Sequence, residues 1–352
     1  MAHTTYHRNP YLSTLPIAGW RGNPMDARGR FFNPDYPFIP ALPDHIRWSL
    51  TSNPKRDEKR QDTWRVPVVQ DERFLTNETE DVLVWLGHAS FYLRMSGISM
   101  LIDPMFGSFP GIPRRSSVPF LPKDLPETDL VLVSHNHRDH CDRASIREIA
   151  RHSPRARYLT GLGTEALLKK WAKSDRVQGA GWYQKFESGI PELEIYFLPT
   201  RHWTRRWIFD ANRHLWGAFL IRTPRHTLYF SGDTGYSSHF AHTAKLFPEI
   251  DTAIIGVGTY QPSFDSPMHI NPEDAVQGFR DLQAKTLIPM HYGTFDLSSE
   301  PFGEPLQRLI ACHPPGLHTL QVGENYFLPA FHFRPRHFRM MKEAAAFDFN
   351  PN

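Results

Sequence analysis

The sequence predicts an α/β sandwich, with helices packed outside two sheets, and three observations carry that prediction. From residue 81 onward short β-rich runs follow one another closely. In each half of that region the strand runs come first and helical spacing follows. A chain of 352 residues with 40% hydrophobic content can also bury one large core or two modest ones, and it carries no repeat of solenoid length.

The elements justify themselves in order. From Asn9 to Val69 the chain is rich in proline, aromatic and charged residues and has neither a helical nor a strand period. Phe31, Phe32, Tyr36, Phe38 and Trp48 are costly to leave in water, so residues 1–75 are expected to wrap the core as an irregular extension. The main domain is expected over 76–335, and a tail over 336–352. The runs DVLVWL, SFYLRM and ISMLID read as successive strands. DLVLVSH, branched aliphatics bounded by polar residues, reads as a strand buried on both faces, and RASIREIARH comes after it with helical spacing. GTEALLKKWAK then reads as a helix, and LEIYFLPT, GAFLIRT and HTLYFSGD as strands. A helix near 239–247, the strand TAIIGVG, the helix NPEDAVQGFRDLQ and the strand TLIPMHYG complete the pattern.

Composition excludes several classes. No stretch reaches the roughly eighteen uncharged apolar residues of a spanning helix, and the N-terminus lacks the basic start and apolar core of a signal peptide. Two cysteines, Cys141 and Cys312, fit a reducing compartment. A cytoplasmic protein is therefore expected, in contact at most with the inner face of a membrane. The formal charge of +3, without a basic arm, argues against nucleic acid as a partner and suits a surface that meets anions.

The chemistry concentrates in SHNHRDHCD, residues 134–142, on the loop leaving a strand. His135 and His137 are two apart on an extended segment, so their side chains point the same way, and Asp139 and His140 turn toward a neighbouring point. Imidazole and carboxylate are the ligands zinc prefers, and iron or manganese less exclusively. His202 in LPTRHWTRR, Asp233 in YFSGDTGY and His291 in IPMHYGTF each come after a predicted strand, and strand ends on one sheet edge can converge. Each alone is more often a core histidine or a turn aspartate than a ligand. Together they divide into two sites: His135, His137 and His202 for one ion, Asp139, His140 and His291 for another, with Asp233 bridging. Arg205 and Arg206 beside Trp203 offer a phosphate grip, and Arg114 and Arg115 a second, against the ordinary reading of solvated arginines.

The order HxHxDH, a later histidine, a GDTG aspartate and a last histidine before Tyr-Gly resembles the metallo-β-lactamase superfamily over about residues 80–330. That resemblance implies a four-layer αβ/βα sandwich with the metals at the sheet edge. WLGHASFYLRMSGISMLIDPMF, LPTRHWTRR, SGDTGYSSHF and IPMHYGTFDLSSEP are further similar to the N-acylphosphatidylethanolamine-hydrolysing phospholipase D family and its bacterial relatives. This second resemblance implies a hydrolase with two Zn2+, or Fe or Mn, cutting a phosphodiester to phosphatidic acid and an N-acylethanolamine, in which water activated by the ions is the nucleophile. Asp139 and Asp233 would serve the reaction centre, and Asp103 in LIDPMF would orient a ligand or accept a proton, or else is a turn aspartate before proline. His269 in SPMHINPED is a candidate proton donor, or else the residue just before a helix cap at Asn271. Trp203, Arg205, Arg206 and Tyr260 are the candidate substrate contacts. TYQPSFDSPM departs from the lipid hydrolases, which carry an acidic residue after the tyrosine and an arginine after the proline. That departure bears on the head group more than on the chemistry. A lactonase or esterase acting on a phosphorylated or acylated small molecule is the alternative, as the resemblance to relatives with a similar HxHxDHCD implies. A homodimer is a further expectation from the resemblance, and nuclease activity or a non-catalytic metal- or lipid-binding role ranks below these readings.

Overall fold

The computed structural model describes residues 4–39, 51–109, 111–260 and 266–329. Trp48, the middle of the TYQPSFDSPM segment and the predicted tail 336–352 lie outside the described residues. Among the described residues the strands are β1 Thr5–His7, β2 Asn23–Met25, β3 Val82–Gly87, β4 Ser90–Met95, β5 Ile98–Ile102, β6 Leu130–Val133, β7 Arg157–Gly161, β8 Val177–Ala180, β9 Gln184–Lys185, β10 Glu194–Leu198, β11 Ala218–Arg222, β12 Thr227–Phe230, β13 Thr252–Gly256, β14 Thr286–Met290 and β15 Asn325–Phe327. The helices are α1 Arg56–Gln61, α2 Arg73–Thr76, α3 Arg143–His152, α4 Glu165–Ala172, α5 His239–Leu246, α6 Pro272–Asp281 and α7 Glu304–Ala311.

Two mixed sheets result. The first has seven strands in the order β15-β3-β4-β5-β6-β7-β8, and the second six in the order β14-β13-β12-β11-β10-β9. In each, antiparallel strands give way to parallel ones: β5 through β8 in the first sheet, β12 through β14 in the second. Parallel pairing requires crossovers: a long connection with one 3-10 turn, Pro122–Asp124, links β5 to β6, and helices supply the rest, α3 and α4 in the first sheet and α5 and α6 in the second.

The side-chain period fixes the layers. Along β6, Leu130 and Leu132 point into the core shared with the second sheet, while Val131 and Val133 point outward onto Ile146 and Ile149 of α3 and the α4 residues Leu168 and Trp171. Phe91 of β4 meets Phe230 of β12 across the inter-sheet space, with ring centroids 6.2 Å apart. This is the sandwich the strand-then-helix order predicts. α3 begins at Asp142, whose carboxylate accepts from the Ser145 amide at 2.8 Å. α6 begins at Asn271, whose Oδ1 accepts from the Asp274 amide at 2.9 Å, with Pro272 in the first turn.

The N-terminal residues clad one side of this body. Leu12 and Phe31 join the main core, and Trp20 packs edge-on against Tyr183 at 4.9 Å. Gln184 fastens the strap by accepting from the Asn9 amide at 2.9 Å and donating to the Asn9 carbonyl at 2.8 Å. No helix among the described residues is long and apolar enough to cross a membrane.

The topology gathers strand ends. The loops leaving β5, β6, β10, β12 and β14 carry Asp103, the histidine cluster, His202, Asp233 and His291 respectively, and the β3–β4 turn carries His88.

Candidate metal centre

Three ring nitrogens and one carboxylate form the first cluster. His137 Nδ1 lies 3.0 Å from His135 Nε2 and 3.2 Å from His202 Nε2. Asp233 Oδ2 is 3.8 Å from the Nε2 atoms of both His135 and His202. Ligands on a tetrahedral ion with bonds of about 2.0–2.1 Å stand roughly 3.3–3.4 Å apart, so these four atoms have the spacing of a coordination shell.

The second cluster is built on Asp139. Its Oδ2 is 2.9 Å from His88 Nε2 and 3.5 Å from the Nε2 atoms of His140 and His291. Asp233 reaches this cluster as well, with Oδ2 3.2 Å from His140 Nε2 and Oδ1 3.2 Å from His291 Nε2. One carboxylate therefore faces both groups. Both are able to hold metal ions.

Local structure explains the placement. Asp233 comes directly after Gly232, whose backbone is left-handed at φ +56; a Cβ there would stand 2.8 Å from the Gly217 carbonyl oxygen, so the turn that delivers Asp233 needs glycine. His88, Asp103, Thr259 and His291 are non-glycine residues at φ values of 54, 41, 68 and 65. Four of the eleven non-glycine residues with positive φ among the described residues thus stand at this site. Asp103 is buried and fully engaged: Oδ1 accepts from the Ser134 amide at 2.7 Å, and Oδ2 from the Ser134 hydroxyl at 2.6 Å, with His140 Nδ1 2.8 Å away. Its geometry is that of the orienter, turning His140 Nε2 toward the two other aspartates. His202 is oriented in the same way, Nδ1 lying 3.0 Å from the Met268 carbonyl oxygen.

The electrostatics fit a cation. Burial pushes His135 and His202 well below the ordinary imidazole range, His137 down to about 4 and His88 to about 3. Burial likewise opposes the charge on Asp139 and Asp233, but His140, with His291, overcomes it and holds both carboxyls well below the usual range. Against its own burial, His291 is raised to about 9, chiefly by Asp233 and Asp139, and His140 is raised too. The Nε2 atoms of His140 and His291 are buried without a hydrogen-bond partner and face carboxylate oxygens. Imidazole and carboxylate are donors for zinc, iron or manganese, and a divalent ion would satisfy the orphaned nitrogens.

The remaining predicted residues sort by position. His269 Nδ1 is 3.9 Å from Asp233 Oδ2, and its ring lies 5.1 Å from that of His202. Trp203 packs its ring edge-on at 4.8 Å from His137, and Arg205 lies over Trp203 at 5.5 Å. Arg206 turns inward, donating to the carbonyls of Asn136 at 3.1 Å and Cys141 at 2.7 Å. Arg114 does the same toward the carbonyls of Leu86 at 2.6 Å and Met105 at 2.7 Å. Arg115 lies over the Phe302 ring at 3.4 Å. The structure thus gives Arg206 and Arg114 a bracing position rather than one that reaches outward to a phosphate. Tyr260 donates its hydroxyl to Glu304 Oε1 at 2.9 Å.

Sequence reasoning alone does not single out His88. It occupies a two-residue turn between β3 and β4, where a left-handed histidine replaces the usual asparagine or glycine; that anomaly in GHAS is the available signal. Removing this ring is expected to matter. His88→Ala should weaken metal loading by about ten- to a hundred-fold, as loss of a residue that holds a ligand usually does. Equilibrium dialysis against a competing chelator measures this, and unchanged affinity would leave His88 a packing residue.

Residues 99–292 match the beta-lactamase superfamily domain. An uncharacterized protein of Mycobacterium tuberculosis is 30% identical over 287 residues, covering 79% of this chain and 75% of that protein. An N-acyl-phosphatidylethanolamine-hydrolyzing phospholipase D of Caenorhabditis elegans is 31% identical over 244 residues, 64% of this chain and 67% of its own length. The structure of Igni18, a metallo hydrolase from Ignicoccus hospitalis, aligns with a TM-score of 0.53 at 22% identity over 73% of this chain and 100% of that one, a likeness of fold.

Proposed function

Since the chain belongs to the beta-lactamase superfamily and is a metal-dependent hydrolase of it, we propose that it is a phosphodiesterase of phospholipase D type, with 76–335 as its catalytic unit. Its proposed substrates are N-acylphosphatidylethanolamine-like lipids. The observation that carries this reading is Asp233, a single carboxylate facing two histidine clusters. The lipid substrate is supported by the resemblance to the nematode enzyme. His135, His137 and His202 would hold one ion and Asp139, His140 and His291 the other, with Asp233 between them and zinc the expected metal. When bound, such a pair supplies Lewis acidity toward a phosphoryl oxygen and lowers the pKa of water toward neutrality.

The protein's own residues do the rest. Asp139 and Asp233, both anionic in this environment, fix where positive charge can sit. Asp103 holds His140 in one tautomer and one orientation. Hydrolysis forms a bond from water oxygen to phosphorus and breaks the bond from phosphorus to the ethanolamine oxygen, which must gain a proton as it leaves. His269, beside Asp233, is the group proposed to deliver it. Arg205, lying over the Trp203 ring that meets His137 edge-on, would meet the lipid phosphate on its way in, with Trp203 beside it.

The test is product identification by mass spectrometry after zinc-loaded protein meets N-acylphosphatidylethanolamine vesicles, with Asp139→Asn as control. Phosphatidic acid and N-acylethanolamine should form only with the unmodified protein. Intact lipid, from protein shown to hold metal, would discard the phosphodiester reading and redirect the search to carbon esters and lactones.

A further inference from the structure

We propose that the tip of the loop after β10, Trp207-Ile208-Phe209, is a docking finger that seats the mouth of the metal centre on a phospholipid surface bearing anionic lipid. This deepens the lipid reading above and rests on it for its purpose. The three side chains are 63%, 71% and 88% exposed, and they are consecutive. Single exposed apolar residues are ordinary, but three large ones side by side are not.

The loop is built to hold them out. Asp210 Oδ1 accepts from the amides of Arg206 at 2.9 Å and Trp207 at 2.7 Å, closing a tight turn beneath the tip. Asn212 ties the base, its amide donating to the Thr204 carbonyl at 2.7 Å and its Oδ1 accepting from the Thr204 amide at 3.0 Å. Arg206, just before the tip, is anchored on the carbonyls of Asn136 and Cys141 in the histidine loop. The position of the tip is thereby referred to the metal centre itself.

Cations surround it. Arg138, exposed and placed in the chain between His137 and Asp139, lies over the Trp207 ring at 5.0 Å and donates to the Arg206 carbonyl at 3.3 Å. Arg205 and exposed Arg213 lie on the same loop, and the carboxylate at its tip, Asp210, is engaged with backbone amides. Trp and Phe at the tip with arginines behind them match a bilayer interface, where aromatic rings settle at headgroup depth and arginines meet lipid phosphates. Seating there would bring a lipid headgroup to the ligands without the lipid leaving the membrane.

The experiment is co-sedimentation of metal-loaded full-length protein with phosphatidylglycerol–phosphatidylethanolamine vesicles that contain no N-acylated lipid, compared with the Ile208→Ser/Phe209→Ser double variant. Both substitutions fall on exposed side chains, so the fold should persist. Partitioning of the double variant is expected to drop at least tenfold, with its hydrolysis of detergent-dispersed lipid unchanged. Replacing phosphatidylglycerol by phosphatidylcholine should weaken binding by the unmodified protein. Protein that stays in solution, or a double variant that sediments like the original, overturns the proposal. So does light scattering that shows a dimer dissociating in the double variant, because the finger would then be covered by a second copy. Vesicle binding without cleavage of N-acylphosphatidylethanolamine would sink the substrate assignment and leave the docking intact; cleavage without vesicle binding would do the reverse.

Discussion

Replacing Asp233 with Asn is expected to lower hydrolysis roughly 10³- to 10⁴-fold, because an ion pair that contributes several kcal/mol of charge stabilisation depends on this carboxylate, at about 1.36 kcal/mol per factor of ten. The geometry explains why this position outranks any single histidine. Asp233 Oδ2 faces His135 and His202 at 3.8 Å and His140 at 3.2 Å, while Oδ1 faces His291 at 3.2 Å. Every other ligand candidate serves one cluster; this one serves both. The amide keeps the shape and removes the charge, so metal content should fall at both clusters, as elemental analysis of purified protein can show. The fold should survive. Removing one partner of a buried ion pair ordinarily costs about 3–5 kcal/mol, but here the imidazoles left behind can release their protons and become neutral. Full activity with a normal metal complement in Asp233→Asn would end the shared-carboxylate account.

Legibility in the sequence depends on distance along the chain. RASIREIARH coincides with α3, and SFYLRM with β4, because helical and strand periods are local signals. β7 and β8 carry no such signal: Arg157-Tyr158-Leu159-Thr160-Gly161 and Val177-Gln178-Gly179-Ala180 mix polar residues and glycine into short runs, and only pairing, of β7 with β6 and of β8 with β7, makes strands of them. β15 pairs with β3 from the far end of the chain and has three residues, too few to show a period. The site divides in the same way. His135, His137, Asp139 and His140 announce themselves by spacing, whereas His88 meets Asp139 across 51 residues of sequence and only because the β3–β4 turn abuts the histidine loop. Arginine roles are least legible of all. Arg205 and Arg206 are adjacent and chemically identical, yet one lies over the Trp203 ring and the other faces inward onto backbone carbonyls.

That difference makes Arg206→Ala the second large effect to expect, and it should appear in stability first. The guanidinium donates to the carbonyls of Asn136 and Cys141, which flank the ligand turn, and lies over the Trp171 ring of α4 at 4.8 Å. Burial lowers its pKa, but an arginine remains charged at neutral pH. Hydrogen bonds from a charged donor are worth about 1.5–3 kcal/mol each, and leaving the accepting carbonyls unsatisfied costs a similar amount, so truncation should destabilise the protein by about 2–4 kcal/mol. Calorimetry should show Tm falling by several degrees, and metal should be lost more readily because the loop carrying four ligand candidates is no longer braced. A phosphate grip predicts something else: KM rises for the lipid while Tm and metal content stay where they were. Arg206→Lys separates the two further. A lysine restores positive charge for a phosphate but cannot both reach the two carbonyls, which accept from one nitrogen, Nη1, and lay a planar guanidinium over the Trp171 ring, so a bracing arginine should be rescued poorly and a gripping one largely. If Arg206→Lys recovers KM in a protein whose Tm never moved, the bracing role is wrong and the arginine belongs to the substrate.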